Sequence, residues 1–401
     1  MKILHIIPTY TPARFASGPI NATHDLNKWL SQKGVDITVY TTNADKPNDK
    51  INVPVNREVN IDGVKVFYFQ TSFPRFWYYS SALRKKLKES IQKFDLIHIS
   101  SVFLSASTLG AYYAKKFKKP YIISFFGTLM KVPMSHGTLK KKIYLNLIEK
   151  RNLRGASVIH FTSEKEKKDY ELFNLPKNKK KIVIFSGIDP NVFKPNIDPK
   201  FFREKFNIPV GDKVILFLGR LSWIKGIDTL IPAFGEVLKK NPQTTLVLAG
   251  QDADYNKEIG QLIFESNVGD KVITPGPIFG DEKAAALSQS DIFVLSSYSE
   301  AGSLAVIEAL LYGIPTVITE NCGMSHEIGR AGAGIVVKKN IEDLSEALIR
   351  ILNDDNLAGE MKKRARVFAE NELVFSKIVD KYIKLYEEVI NDHKENNKYR
   401  T

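Results

Sequence analysis

The chain has 401 residues, 43% of them hydrophobic, 25% charged and 11% aromatic, enough for two cores of roughly 150 to 200 residues each and too apolar for a disordered or fibrous protein. Its 24 glycines and 18 prolines are ordinary usage, and a single cysteine, Cys322, excludes an intrachain disulfide and favours a reducing compartment. The net charge of +14 is one-sided: residues 1–190 hold 32 Lys and Arg against 14 Asp and Glu, net +18, while residues 191–401 hold 26 against 30, net −4, so the first half is either a solvated basic surface or attracts an anionic partner such as lipid headgroups, nucleic acid or a phosphorylated substrate.

The apolar run 2–7 ends at Pro8, short of the roughly 20 residues a membrane span requires, and lacks the cleavage pattern of a signal peptide. The expectation is a soluble, cytoplasmic chain. Runs rich in Ile, Val, Phe and Tyr at 2–8, 36–42, 64–69, 96–100, 121–125, 157–161 and 181–185 read as strands of a largely parallel sheet. Between them, residues 79–94 place Leu83, Leu87, Ile91 and Phe94 on one helical face, with Arg84, Lys85, Lys86 and Lys88 mostly elsewhere.

Pro190, Pro195, Pro199 and Pro209 interrupt this rhythm, which predicts a linker at 188–212. Beyond it, strand candidates recur at 214–218, 245–250, 272–275, 292–295, 315–319 and 334–337, and helices follow near 355–370 and 375–391. The fold class is α/β: two doubly wound, Rossmann-like domains at 1–187 and 213–372, facing a cleft at the carboxyl ends of their strands. A C-terminal helix within 373–401, apolar at Ile378, Tyr382, Leu385 and Val389, is expected to pack back on the first domain.

Two stretches carry candidate chemistry. Gly219 to Gly226 places Arg220 and Lys225 in the turn after a strand, where the cations either meet a diphosphate or remain solvated. The stretch 297–308 has a small-residue turn at Ala301 to Ser303 opening a helix, with Glu300 before it and Glu308 within it. Unpaired amides at a helix start suit a phosphate, and carboxylates accept hydrogen bonds from sugar hydroxyls. Each glutamate alone also reads as a helix-terminus charge. His5, His98 and His160 fall in strands and read as packed, whereas His24 sits on the helix after Gly18. No His, Cys and Asp cluster has metal-ligand spacing, so no metal is expected. The dinucleotide fingerprint is missing after the first strand, where only Gly18 occurs, and no nucleic-acid-binding signature accompanies the charge.

Taken together, Gly219-Arg220-Leu221 with Lys225-Gly226, Glu300 to Glu308 with Gly302, the run 309–317, Leu248-Ala249-Gly250, Gly276 to Phe279, and Ser186 to Asp189 with Phe193 and Pro195 resemble glycosyltransferase family 4, of GT-B architecture. The resemblance spans essentially the whole chain and is strongest over 210–320. It implies retaining transfer of a hexose or N-acetylhexosamine from a UDP- or GDP-sugar to a glycan or lipid-linked acceptor, in cell-surface polysaccharide or glycolipid synthesis, with no metal or other cofactor. It also implies that Arg220 and Lys225 neutralise the departing diphosphate beside Gly219 and the Ser303 and Leu304 amides. Glu300 then contacts the transferred sugar, Glu308 the ribose, and the backbone from Gly276 through Ile278 the base.

Two departures stand out. The phosphate-side turn Ala16-Ser17-Gly18-Pro19 has one glycine where two are common, and Phe126 precedes Gly127 where many relatives carry a histidine near the sugar. Phe126 cannot donate that hydrogen bond. His136, in a repeat of the same pattern, is a candidate replacement. The alternatives are a catalytically impaired nucleotide-sugar-binding relative or a sugar-nucleotide epimerase of the same architecture. Finally, Phe73, Phe76, Trp77, Tyr78 and Tyr79 precede the basic helix, and Lys115, Lys116, Lys118, Lys119 and Lys140 to Lys142 add charge. These predict peripheral attachment of the first domain to an anionic membrane face, or a cluster packed in its core or on a partner.

Overall fold

A computed structural model of the chain describes residues 1–398 except 14, 16, 47, 136–137, 174, 177–179, 194–197 and 199. The polypeptide forms two units, Met1–Gly187 with Phe375–Thr401, and Ile188–Val374. The segment expected as a linker, 188–212, thus belongs to the second unit. There the helix Lys200–Lys205 buries Phe202, and Arg203 Nε donates to Gln289 Oε1 at 3.0 Å. Prolines break periodicity without saying whether the residues between them are buried.

The first unit is built on β1 (Lys2–Ile6), β2 (Asp36–Thr42), β3 (Glu58–Ile61), β4 (Val64–Phe69), β5 (Leu96–Ser100), β6 (Tyr121–Ser124), β7 (Val158–Phe161) and β8 (Lys180–Val183). They lie in the order β3-β4-β2-β1-β5-β6-β7-β8. All neighbours are parallel except β3 and β4. β3, unforeseen in the sequence, is Glu-Val-Asn-Ile at the sheet margin, with no fully buried residue.

Helices cover both faces. On one, Leu83, Leu87 and Ile91 pack against Ile97, Ile99 and Phe161. The helix Ser81–Ser90 starts where it does because the Ser80 side chain accepts from Leu83 N at 3.2 Å. Each of its buried leucines contributes about 2 kcal/mol, so its apolar stripe is spent on the core. Tyr78 is buried as well, and Trp77 donates to Phe103 O and Tyr144 Oη at 3.1 Å each. Of the aromatic cluster, Phe73 and Phe76 remain exposed.

On the opposite face, the helices Ser17–Gln32 and Phe375–Lys398 bury Leu26, Leu30, Ile378 and Val379 against Ile3, Val39 and Val66. Trp29 stacks on Phe375 at 5.9 Å. Gly187 is required where the chain leaves this unit, because a Cβ there would lie 2.5 Å from the Phe375 ring.

Three buried histidines cross the sheet beneath this helix. His5 stacks on His98 at 4.3 Å and reaches Asn27 Oδ1 at 2.8 Å and Ser100 Oγ at 2.7 Å. His98 bonds Ser124 Oγ and Tyr386 Oη, both at 2.7 Å. His160 meets the same Ser124 at 2.7 Å, with Ile184 O at 3.0 Å and Tyr382 Oη at 3.1 Å. Burial lowers all three pKa values, to about 4 for His5 and His160.

The second unit holds β9 (Lys213–Leu218), β10 (Thr244–Ala249), β11 (Val272–Gly276), β12 (Ile292–Leu295), β13 (Thr316–Thr319) and β14 (Gly334–Val337). Their order is β11-β10-β9-β12-β13-β14, all parallel. The chain runs outward from β9 through β10 to β11, then returns to the other side of β9 as β12. The carboxyl ends of β9 and β12 therefore form the topological switch point, where such sheets bind ligands.

Candidate active site

The loops leaving β9 and β12 are knitted together at that switch point. Tyr298 N donates to Ile224 O at 2.8 Å and Ser296 Oγ to Lys225 O at 3.0 Å. Gly226, at φ +68°, lets the strands of the knot touch, since a Cβ would stand 2.0 Å from Ser296 O. This fixes Lys225 opposite Glu300, and their side chains form an ion pair, both mostly buried. Glu300 is held from behind by its N–H to Asn321 O, 3.3 Å, in a short bridge with Cys322.

A second layer braces the same loops. Tyr298 Oη donates to Asp228 Oδ2 at 2.6 Å, and Lys339 Nζ lies 3.5 Å from the Tyr298 ring centre and donates to Thr229 Oγ1 at 2.6 Å. The bond to Asp228, then burial, pushes the Tyr298 hydroxyl up to about 12. Sequence reasoning missed Asp228, Tyr298 and Lys339, which come from the first turn of the helix Ile227–Lys240 and from two separate loops and carry no motif of their own.

Arg220 is exposed and makes no ion pair with any described residue. Gly219 N bonds Ala249 O at 3.0 Å, setting the start of the loop. Ser303 caps the helix Leu304–Leu311, its hydroxyl accepting from Val306 N at 3.4 Å, which leaves the Leu304 and Ala305 amides without helical partners. Gly302 precedes that cap. Glu308, within the helix, pairs with Lys283 at 2.7 Å, another partner the sequence did not reveal. Lys283 lies on the helix Gly280–Ser288, which follows Gly276 and the buried Ile278. The second unit thus offers cations, carboxylates and open amides on adjoining loops, a set suited to a phosphorylated, hydroxyl-rich ligand.

Gly18, Phe126 and Gly127 belong to the first unit. Gly18 lies exposed in the first turn of its helix, and His24, six residues further on, bonds Asp62 Oδ2 at 2.9 Å and Tyr10 Oη at 3.0 Å. Phe126 and Gly127 both take positive φ, 50° and 82°. Gly127 N donates to Glu166, which also accepts from Thr162 N at 2.7 Å; burial raises this carboxyl. Ala16 and His136 lie outside the described residues.

The family profile described as Glycosyltransferase Family 4 matches residues 17–192, and that described as Glycosyl transferases group 1 matches residues 198–368. The chain belongs to the GT4-type glycosyltransferases of GT-B fold. The transferase is 27% identical to an uncharacterized glycosyltransferase of Methanocaldococcus jannaschii, over 88% of this chain and 90% of that one. It is 24% identical to the N-acetyl-alpha-D-glucosaminyl L-malate synthase of Bacillus anthracis, over 98% and 99%, and 26% identical to the alpha-monoglucosyldiacylglycerol synthase of Streptococcus pneumoniae, over 80% and 71%. Its fold matches sucrose-phosphate synthase from Thermosynechococcus elongatus with a TM-score of 0.78 at 22% identity, covering 98% of this chain and 100% of that one. Anabaena HepE in complex with UDP and glucose matches at 0.76 and 19%, covering 97% and 100%.

Cys322 of the transferase is fully buried behind Glu300, and burial pushes its thiol up to about 12. The native enzyme should therefore resist an aromatic disulfide reagent for hours and react within minutes in denaturant. Fast labelling of the native protein would mean that the Glu300 bridge opens in solution.

Proposed function

We propose that the enzyme moves a hexosyl or N-acetylhexosaminyl group from a UDP- or GDP-sugar to a glycan or lipid-linked acceptor, with retention of configuration. The pairing of Lys225 with Glu300 at the β9/β12 switch point carries this reading. The bond from the sugar C1 to the diphosphate breaks, and the acceptor oxygen bonds C1 on the same face. The acceptor's proton leaves with the diphosphate. Arg220, Lys225 and the open amides after Ser303 hold the charge that develops on the leaving group, the task a metal ion performs elsewhere, so no metal enters this scheme.

Glu300 orients the sugar hydroxyls, Glu308 with Lys283 faces the ribose, and the backbone at Gly276 and Ile278 takes the base. A nucleotide-sugar donor is supported by the structural neighbours solved with UDP and with UDP-glucose. A lipid acceptor is supported by the relative named as an alpha-monoglucosyldiacylglycerol synthase. We read such an enzyme as cytoplasmic and peripheral on the inner face of the cell membrane. A second reading, nucleotide-sugar binding without turnover, is favoured by Phe126, which stands in the turn that Glu166 holds through Gly127 N.

UDP or GDP at about 100 times its dissociation constant should stabilise the protein by about 2.7 kcal/mol, a rise of several degrees in Tm. The base and sugar that give the larger rise identify the donor. Release of UDP or GDP from that donor when acceptor is added then separates a working transferase from a binding relative. If neither UDP nor GDP moved the melting curve, the donor-site assignment would fail.

A further inference from the structure

Beyond the exposed Phe73 and Phe76, the described residues leave a further apolar face uncovered. Residues 138–155 run without a break through the helix Thr138–Tyr144, a π turn Leu145–Glu149 and the helix Lys150–Gly155. Leu139, Ile143 and Leu147 stand 71%, 51% and 59% exposed. They are spaced by four, and the wider π turn keeps such residues in line. The opposite side is fixed to the fold: Leu145 and Leu153 are buried, and Tyr144 Oη bonds Thr108 Oγ1 at 2.6 Å and takes the Trp77 indole N–H at 3.1 Å. The stripe is therefore presented by an anchored helix, and Phe76, beside Trp77, is 72% exposed.

The charge around the stripe has one sign. Lys140, Lys142, Arg151 and Arg154 are exposed. The segment's one acid, Glu149, is buried and turned inward, accepting from Phe103 N at 2.9 Å and Asn152 Nδ2 at 3.2 Å. Large apolar side chains flanked only by cations are complementary to an anionic bilayer surface: the aliphatic groups enter the headgroup region while the cations meet lipid phosphates. Within residues 138–155 no exposed acid interrupts that match.

We propose that the face carrying Leu139, Ile143 and Leu147 is the surface by which this enzyme docks on anionic membranes. The inference deepens the lipid-linked reading above by assigning it a surface, and it rests on that reading. In contrast to the helix Ser81–Ser90, this face keeps its apolar residues free of the core.

The test is cosedimentation of the full chain with vesicles of phosphatidylcholine alone or with 30 mol% phosphatidylglycerol. The wild type should bind the anionic vesicles at least tenfold better. The variant Leu139→Ser/Ile143→Ser/Leu147→Ser should lose at least tenfold on them, and Lys140→Glu/Lys142→Glu should lose the preference for anionic lipid. Phe264→Ser, an 85% exposed residue of the second unit, should bind like wild type. Unchanged melting curves certify folding of each variant. If the wild type binds and the triple serine variant binds equally well, this surface is wrong while membrane attachment stands. If the wild type ignores both vesicles, attachment fails with it. A stripe that holds two copies together, seen as a dimer made monomeric by the serines with no vesicle binding, also overturns the proposal.

Discussion

Lys225→Met should lower kcat/KM by about 10²- to 10³-fold, equivalent to roughly 3 to 4 kcal/mol of transition-state stabilisation, the usual cost of removing one preorganised charge partner. Two effects combine. A cation facing the departing diphosphate is lost, and Glu300 is left in a mostly buried position with an uncompensated negative charge that repels the same leaving group. The second effect predicts non-additivity: Lys225→Met/Glu300→Gln should be less impaired than the product of the single losses. Arg220, exposed and free of any described ion pair, sustains the residual rate. Steady-state kinetics on the donor found by thermal shift, with melting curves as a folding control, give the answer. Turnover within threefold of wild type would remove Lys225 from the chemistry.

Acid should loosen the first unit well before carboxylate titration does. In the unfolded chain the three sheet histidines protonate near pH 6.5. In the folded chain burial holds His5 and His160 neutral until about pH 4, and His98 is lowered in the same direction. Between these values the unfolded state binds more protons, so stability is full above pH 6.5 and falls as the pH drops toward 4. His5 and His160 each account for a loss on the order of 3 kcal/mol across that window. Because His98 and His160 bond Tyr386 and Tyr382, the strain falls on the packing of Phe375–Lys398. Urea midpoints followed by tryptophan fluorescence in Trp77→Phe/Trp223→Phe, which leaves Trp29 stacked on Phe375, should drop steeply between pH 7 and 4.5. The slope should be shallower in His160→Gln. A midpoint flat over that range would show that the histidines do not control this packing.

The architecture was legible because buried parallel strands are written as continuous runs of Ile, Val, Phe and Tyr, and thirteen of the fourteen strands are of this kind or close to it. β3 escaped because a margin strand paired on one side needs no such run; Glu58 and Asn60 are polar. The helix Ser81–Ser90 was legible as amphipathic, yet periodicity alone does not say what covers the apolar side. Only the fold shows Leu83 and Leu87 inside the core, and Leu139, Ile143 and Leu147 outside it. At the site, Arg220, Lys225, Glu300 and Glu308 stand out as residue types in turns. Their partners do not, because Lys225 and Glu300 are 75 positions apart and Glu308 and Lys283 are 25 apart. Such pairs are made by strand order, which a sequence does not display locally.

The passage of the chain out of the first unit at Gly187 and back at Phe375 sets an order of assembly. On the ribosome, Ile188–Val374 is contiguous and can close as soon as it emerges, whereas the earlier-made sheet, covered on one side only by the helix Ser17–Gln32, waits for the helix Phe375–Lys398 to be translated. Until then Tyr382 and Tyr386 cannot reach His160 and His98, and only the helix Ser17–Gln32 covers the face that carries Ile3, Val39 and Val66. A stop codon at residue 375 would therefore spare the unit Ile188–Val374 and expose the other to chaperones and proteases, although every residue from 1 to 187 had been made unaltered.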